Sequence, residues 1–366
     1  MTTRTTGTSG TSRTAGSTEA TGTAHSTGAT GTARATGTAR VPWGRMARMA
    51  GRRTLFAAPV LLAVTFGVFA IADLSPFDPV KAYAGTAGLT ASQADLDQLR
   101  LNLAVDRPLV TRWWDWLTSA LTGDLGTSTV MRRPVVDVIA ERVGWSALLA
   151  ACAFAVAVLV GTVFGVLAAR RPGGPLDRIV SGLAYTLEAA PAFWLGLLAI
   201  WFFSVRLGAL PSGGLTDAGS DTITFGQVAS HLVLPTLVLG LSQLPWFFLY
   251  VRQGVADALA EDPVRGARAR GLAERTVLLG HGLRSGMLPM LTLIGSRVPE
   301  LITGALLVET VFSWPGIAAA TVQAATSVDF PLLAALTVLA TAAVLAGNLL
   351  SDLLYGLADP RVGFDG

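Results

Sequence analysis

The stretch Asp262-Pro-Val-Arg-Gly-Ala-Arg-Ala-Arg-Gly-Leu-Ala-Glu-Arg275 decides how this chain is read. It is basic and helix-compatible, and it lies between two strongly apolar runs of a 366-residue chain. Asp262 is placed to cap a helix whose first turn holds Pro263, and Gly271 is placed to end or turn it. Leu272–Leu279 then resumes a helical pattern. A basic loop is drawn to anionic headgroups. Six arginines mixed with four acids between 252 and 284 fit a surface held by another protein better.

Outward from this loop, 51% of the chain is apolar and only 14% charged, whereas about a quarter of a soluble domain is charged. Six apolar runs are long enough to cross about 30 Å of hydrocarbon as helices: 54–75, 145–169, 180–205, 230–251, 286–308 and 331–354. The expected fold is therefore an all-α membrane protein with six spans. Arginines gather before the first span (Arg40, Arg45, Arg48, Arg52, Arg53), after the second (Arg170, Arg171, Arg178) and within 252–285. The segments 207–228 and 309–330 carry acids and no base. The positive-inside rule then puts both termini and the 252–285 loop in the cytoplasm.

Residues 76–143 form the long external segment and are expected to make a small subdomain. Short helices are predicted over 91–103 and 109–121, with Trp113, Trp114 and Trp116 at the interface. The amphipathic run Val135–Val143 is expected to lie along the membrane. Residues 1–40 are a Thr/Gly/Ala/Ser tract with a single acid, Glu19. Such a tract has too little apolar surface to offset the entropy of ordering and is read as a disordered cytoplasmic tail. Its acid-poor, Arg-containing composition also fits a transit peptide, but the many glycines argue against a targeting helix.

Inside the spans stand Pro191, Pro235, Pro245, Pro289 and Pro299, helix breakers that a bundle tolerates where neighbours re-satisfy the backbone. Glu188, Arg297 and Glu300 are costly against lipid and belong toward the bundle interior, a cavity or a partner. Arg297 and Glu300 are three apart and can meet on one helix face; bracing the bundle and lining a pathway are both open readings. Gly161 and Gly165 have the spacing that lets helices approach closely.

The only lysine is Lys81, with no glycine-rich phosphate loop around it, so ATP hydrolysis is not expected on this chain. His25, His231 and His281 are scattered and Cys152 stands alone, so no metal or cofactor site is expected either. No nucleophile–base constellation marks an enzyme, and nothing calls for a nucleic acid.

The loop, together with His281, Leu283-Arg284 and Leu288-Pro289, resembles the cytoplasmic signature of permease subunits of binding-protein-dependent ABC importers. The similarity is to the dipeptide/oligopeptide/nickel branch and covers roughly residues 50–362. Further blocks carry it in order: Asp106-Arg-Pro-Leu109, Trp116-Leu117, Gly123-Asp-Leu-Gly-Thr-Ser128, Arg133-Pro134 with Ile139-Ala-Glu-Arg142, and Gly165-Val-Leu-Ala-Ala169. Phe193-Trp-Leu-Gly196, Leu210-Pro-Ser-Gly213, Leu234-Pro235, Val308-Glu-Thr-Val-Phe-Ser-Trp-Pro-Gly316 and Asp359-Pro-Arg361 complete the series.

The resemblance implies a six-span permease domain over 41–362 with a coupling helix in the 252–285 loop. Asp262, Arg265, Gly266, Ala267, Arg270, Gly271, Glu274 and Arg275 would engage a cytoplasmic ATPase. Glu188, Arg297 and Glu300 become pathway candidates, and Glu309, Trp314, Pro315 and Gly316 candidates for outer gating and binding-protein contact. It further implies a second homologous permease, two ATPase subunits carrying ATP and Mg2+, an extracytoplasmic binding protein and a bacterial cytoplasmic membrane. Short peptides are the implied cargo, with nickel or another small solute as variants. Arg265 stands where the general importer signature has a glutamate, and the interval from Gly271 to Leu288-Pro289 is longer than in the sugar-type loop; both differences suit the peptide branch. Two departures from that branch stand out: Glu188-Ala-Ala-Pro191 replaces a small polar Ser-Ile-Pro run, and residues 1–40 have no counterpart. Rival readings are an ion-gradient-driven secondary transporter, which calls for inverted repeats, and a structural or assembly membrane protein.

Overall fold

The computed structural model describes residues 43–74, 80, 84, 92–102, 107–220, 222–287, 290, 293–294 and 296–358. The tail read at 1–40, Lys81, Asp106, Leu288-Pro289 and the Asp359-Pro-Arg361 block lie outside the described residues. The described chain is helical, with one isolated antiparallel bridge between Thr127 and Pro134.

Helix α1 spans Trp43–Leu74, and two short helices follow, α2 over Gln93–Asn102 and α3 over Leu109–Leu121. Both short helices stand within a residue or two of their predicted limits. Helix α4 then runs over Val135–Ala169. The run Val135–Val143 is therefore not a separate surface helix. It is the first two turns of α4, with Val135 and Val138 buried against Ala320, Ala324 and Leu336. Only Gly144 separates it from the apolar run beyond, and with no proline there the helix continues through it.

The third predicted span is two helices, α5 over Pro175–Ala189 and α6 over Ala192–Ala199, the latter continuing as a π-helical turn Ile200–Arg206. The two segments are bent by 105° at the break. Pro191 explains the position of the bend, because it disfavours helix at Ala190, which is extended at ψ 127°. Helix α7 covers Phe225–Ala260 and carries Pro235 and Pro245 without breaking.

The loop beyond α7 contains α8 over Asp262–Ala269, the single turn α9 over Glu274–Val277, a π turn Leu278–Gly282, and α10 over Leu283–Gly286. Then come α11 over Val298–Val311, α12 over Ile317–Thr326 and α13 over Phe330–Ala358. Among the described residues four helices are long and apolar enough to cross a membrane, or five if the bent pair counts as one. The fifth predicted span, 286–308, is described only in part, its outer half being α11.

The α4–α7 pair is the spine. A methyl group at Gly161 would lie 2.8 Å from Phe247 Cβ, and one at Gly165 would lie 2.9 Å from Val251. The small-residue spacing thus does the work expected of it, letting two backbones approach. Phe154 and Phe247 meet edge to face at 5.4 Å beside this contact.

Side-chain links gather at the two ends of the spine. At one end, Arg252 of α7 pairs with Asp177 of α5, and Gly254 abuts Gly286. At the other, Ser128 binds Asp329, Ser146 binds Glu309, and His231 binds the loop carbonyl of Gly213. Helix α1 is tied to α13 by Arg53–Asp352 at 2.8 Å and to α3 by Arg112–Asp73 at 3.0 Å.

Candidate functional site

Helix α8 is amphipathic in a way that its length explains. Eight residues give about two turns, enough for Val264 and Ala267 to share one face, where they pack with Val277 and Leu259. The opposite face stays in solvent: the side chains of Asp262 and Arg265 are 94% and 71% exposed and pair at 3.4 Å. Asp262 is not the cap. The helix begins at Asp262, and Glu261 holds the cap position without a side-chain hydrogen bond. Pro263 in the first turn sets the geometry unaided.

At the far end Gly271 is left-handed at φ +78°. Its N–H donates to the Arg268 carbonyl at 2.9 Å, and the Leu272 N–H donates to the Ala267 carbonyl at 3.3 Å. This is the glycine-terminated helix end that only a residue without Cβ adopts cheaply. Gly266 is half-buried, while Arg270, Gly271, Glu274 and Arg275 are exposed.

One loop residue escaped the sequence reading. Arg268 donates to both Glu274 oxygens, at 2.7 and 3.3 Å, and to the Leu259 carbonyl at 3.3 Å. It thereby clasps the two halves of the loop across Gly271. Arg268 beside Glu274 holds that carboxyl below the usual range. A spacing of six across a turn is no helical pair, so periodicity could not find it.

The turn after α11 is built around a buried acid. Glu309 is fully enclosed, as is Trp314. Its Oε1 accepts from Ser146 Oγ at 2.6 Å, and its Oε2 from the N–H groups of Ala318 and Ala319 at 2.8 and 3.2 Å. Ser146 Oγ in turn accepts from the Ile317 N–H at 2.8 Å. Glu309 therefore completes the N-terminus of α12, where free N–H groups and the helix dipole favour a negative charge. A methyl group at Gly316 would fall 2.2 Å from the Glu309 carboxyl carbon, so only glycine admits this acid. Pro315 is half-buried beside them, and Trp314 Nε1 donates to the Trp145 carbonyl at 3.1 Å. Enclosed in this way, Glu309 and Trp314 offer no surface to an outside protein; they join α4, α11 and α12.

Arg297 and Glu300 meet as their spacing predicted, through Arg297 Nη1 and Glu300 Oε2. The guanidinium lies 3.6 Å from the ring centre of Trp246 on α7, a cation–π contact that helps hold a charge away from water. The Arg297 side chain is 11% exposed and that of Glu300 54%. One turn away on each helix, Gln243 is buried opposite Gly304, and its Oε1 has no hydrogen-bond partner among the described residues. Glu188 is exposed near the end of α5, makes no polar side-chain contact among the described residues, and is not part of this cluster.

Two further groups were not anticipated. Asp177, 4% exposed, receives the Arg252 guanidinium bidentately and accepts from the Gly173 N–H at 2.7 Å and Ser181 Oγ at 3.2 Å. Its partner is 75 positions away, beyond the reach of any local pattern. His231 is buried, with Nδ1 3.0 Å from the Gly213 carbonyl and Nε2 3.2 Å from Asp217. Among the described residues no three His, Cys, Asp or Glu side chains group as metal ligands.

Two family models match in tandem: the N-terminal membrane component of binding-protein-dependent transport systems over residues 46–150, and the inner membrane component of such systems over 161–364. The chain is 35% identical over 320 residues to the oligopeptide transport system permease protein AppB of Bacillus subtilis (strain 168), covering 87% of this chain and 100% of that protein. It is 37% identical over 313 residues to the glutathione transport system permease protein GsiC of Pectobacterium atrosepticum, covering 86% and 98%. It is 34% identical over 331 residues to the dipeptide transport system permease protein DppB of Escherichia coli (strain K12), covering 85% and 97%.

Proposed function

The chain belongs to the family of inner-membrane components of binding-protein-dependent transport systems, and on that premise we propose that it forms half of a passage for short peptides. The family makes it a permease subunit, working with an extracytoplasmic binding protein and with ATPase subunits that carry ATP and Mg2+. The relatives named for oligopeptide, dipeptide and glutathione transport support the cargo class.

In this reading the chain crosses the membrane six times, with both termini cytoplasmic. The two-ended distribution of contacts supports it. The ends of α4 and α7, the start of α5 and the base of the 252–286 loop share one end, while Ser128, Ser146, Gly213, Phe312 and Asp329 share the other. On this reading the bent pair and the segment ending in α11 each supply one crossing between these ends. Helix α8 is the coupling helix that seats in an ATPase groove. The observation that carries this role is its division into a face anchored by Val264 and Ala267 and a face left open at Asp262, Arg265 and Arg270.

The Glu309–Gly316 turn holds the outer ends of α4 and α12 together behind the gate. Arg297 and Glu300 line the passage, with Glu300 the more accessible. Glu188 faces the second permease or the passage. The test is stimulated ATPase activity in the assembled complex with dipeptide-loaded binding protein. Replacement of Gly271 by Ala or of Arg265 by Ala is expected to lower stimulation while subunits stay assembled. Unchanged stimulation and transport in both variants would remove α8 from the coupling role.

A further inference from the structure

The apolar run of α4 ends at Ala169, and Arg170 and Arg171 follow at once. Cations there complement the helix C-terminus. The turn beyond them is fixed: the Arg171 N–H donates to the Ala168 carbonyl at 3.2 Å, and the Gly174 N–H donates to the Arg171 carbonyl at 2.9 Å. Gly173 is left-handed at φ +74°, with its N–H on Asp177. The turn thus presents two guanidinium groups at the end of a membrane-length helix.

Arg170 adds to the positive field at Glu274, but neither group has a hydrogen-bond or ion-pair partner among the described residues. The side chains of Arg170 and Arg171 are exposed. The acids that line the recesses beside them are paired elsewhere: Asp177 with Arg252, and Glu274 with Arg268. Two cavities open on either side of the pair. One of about 290 Å3 lies toward Arg268 and Leu278 in the loop, and one of about 320 Å3 lies toward Leu167 and Leu176. Leu167 and Leu176 are each 41% exposed, and Ile179, one turn beyond Leu176 on the same face, is 70% exposed.

We propose that this is a binding site for an anionic phospholipid, with Arg170 and Arg171 holding the phosphate and Leu167, Leu176 and Ile179 forming the wall along which its chains lie. Charge complementarity selects an anion, each cation near an anionic lipid surface contributing about 1 kcal/mol. The apolar wall selects a lipid over a soluble anion or an acidic protein side chain, neither of which would cover it. The lipid would touch both α5 and the loop that carries α8, so lipid charge would bear on the region linking them.

The experiment uses the detergent-purified full complex, stripped of lipid and titrated with phosphatidylglycerol or, as the neutral control, phosphatidylcholine. The variant R170Q/R171Q should lose preference for phosphatidylglycerol by about fivefold for each guanidinium removed, the factor expected of a cation at an anionic surface. R170K/R171K should keep most of it, and R178Q, outside both cavities, should change little. Undiminished preference in R170Q/R171Q would overturn the site, as would a Lys pair that fails to restore it. Loss of ATPase subunits from R170Q/R171Q with lipid preference intact would mean that this face docks a protein instead.

Discussion

Glu309 has its carboxylate in a cage formed where α4, α11 and α12 meet, and the residue that makes room for it is Gly316. A Gly316→Ala change adds a methyl group 2.2 Å from the carboxyl carbon, which must displace a buried charge from its donors. Overpacking alone costs about 1–3 kcal/mol. The variant is expected to melt earlier than wild type in detergent, whereas Ser146→Ala, which removes both the hydrogen bond to Glu309 and the acceptor of the Ile317 N–H, should lose about 1.5–3 kcal/mol; equal melting of G316A and wild type would refute the cage. A second buried ion is Asp177. Removing one partner of such a pair costs about 3–5 kcal/mol because the other charge is left uncompensated. Arg252→Ala should therefore unfold at lower denaturant than the double variant D177N/R252Q, and the reverse order would mean that the pair contributes little. The sequence drew attention to Glu309–Gly316 as a motif and to Arg297–Glu300 as a helical pair. It could not give their burial. Ser146 lies 163 positions from Glu309, and only the crossing of α4 with α11 brings them together.

The elements most legible in the sequence were those whose limits are set locally. Pro108 precedes α3, Pro134 precedes α4 and Gly271 ends α8, so their positions follow from backbone chemistry. Where tertiary contacts decide, periodicity misled: Val135–Val143 joined α4 because α12 and α13 cover its apolar side. The third span broke at Pro191, a breaker that the sequence itself marks. The base of the coupling loop belongs to the same class. A methyl group at Gly254 would lie 2.3 Å from the Gly286 carbonyl oxygen, and one at Gly286 would lie 2.6 Å from Val255 Cα. These are backbone atoms and cannot turn aside, so α7 and α10 are locked at the point where the loop begins and ends. Gly286→Ala should spread that base, and a drop of about tenfold in stimulated ATPase with basal hydrolysis kept is the expected readout. The Arg268–Glu274 clasp should respond to acid. The lowered Glu274 pKa means that its stabilisation is present above the ordinary carboxylate value of about 4.3 and is lost as pH falls through the lower folded value. Loop amide exchange, corrected for intrinsic rates, should be flat from pH 6 to pH 8 as orders of magnitude go; a rise in that window would point to another group.

At the scale of the whole molecule, the alternation of charge along the sequence has a counterpart in the sorting of contacts in space. The arginine-rich segments after α4 and α7 fall at the end marked by Asp177–Arg252, and the base-free segments 207–228 and 309–330 fall at the end marked by Glu309 and His231. Lipid and protein each impose this order, the one through the energetics of arginine at the two faces, the other through the fit of α4 on α7. In the proposed six-span reading two crossings rest on it most heavily, the bent pair α5–α6 and the segment ending in α11, because neither is one unbroken described helix of membrane length. Single cysteines separate the alternatives. With Cys152 replaced by Ser, Pro172→Cys and Gly271→Cys should react with a membrane-impermeant maleimide only after the cells are opened. Ser220→Cys and Ser327→Cys should react in intact cells. If Pro172→Cys and Ser220→Cys label from one side, the bent pair is a re-entrant loop; if Gly271→Cys and Ser327→Cys do so, the segment ending in α11 does not cross. Either result would leave an odd number of crossings and put the termini on opposite faces, against the balance of arginines that first oriented the chain.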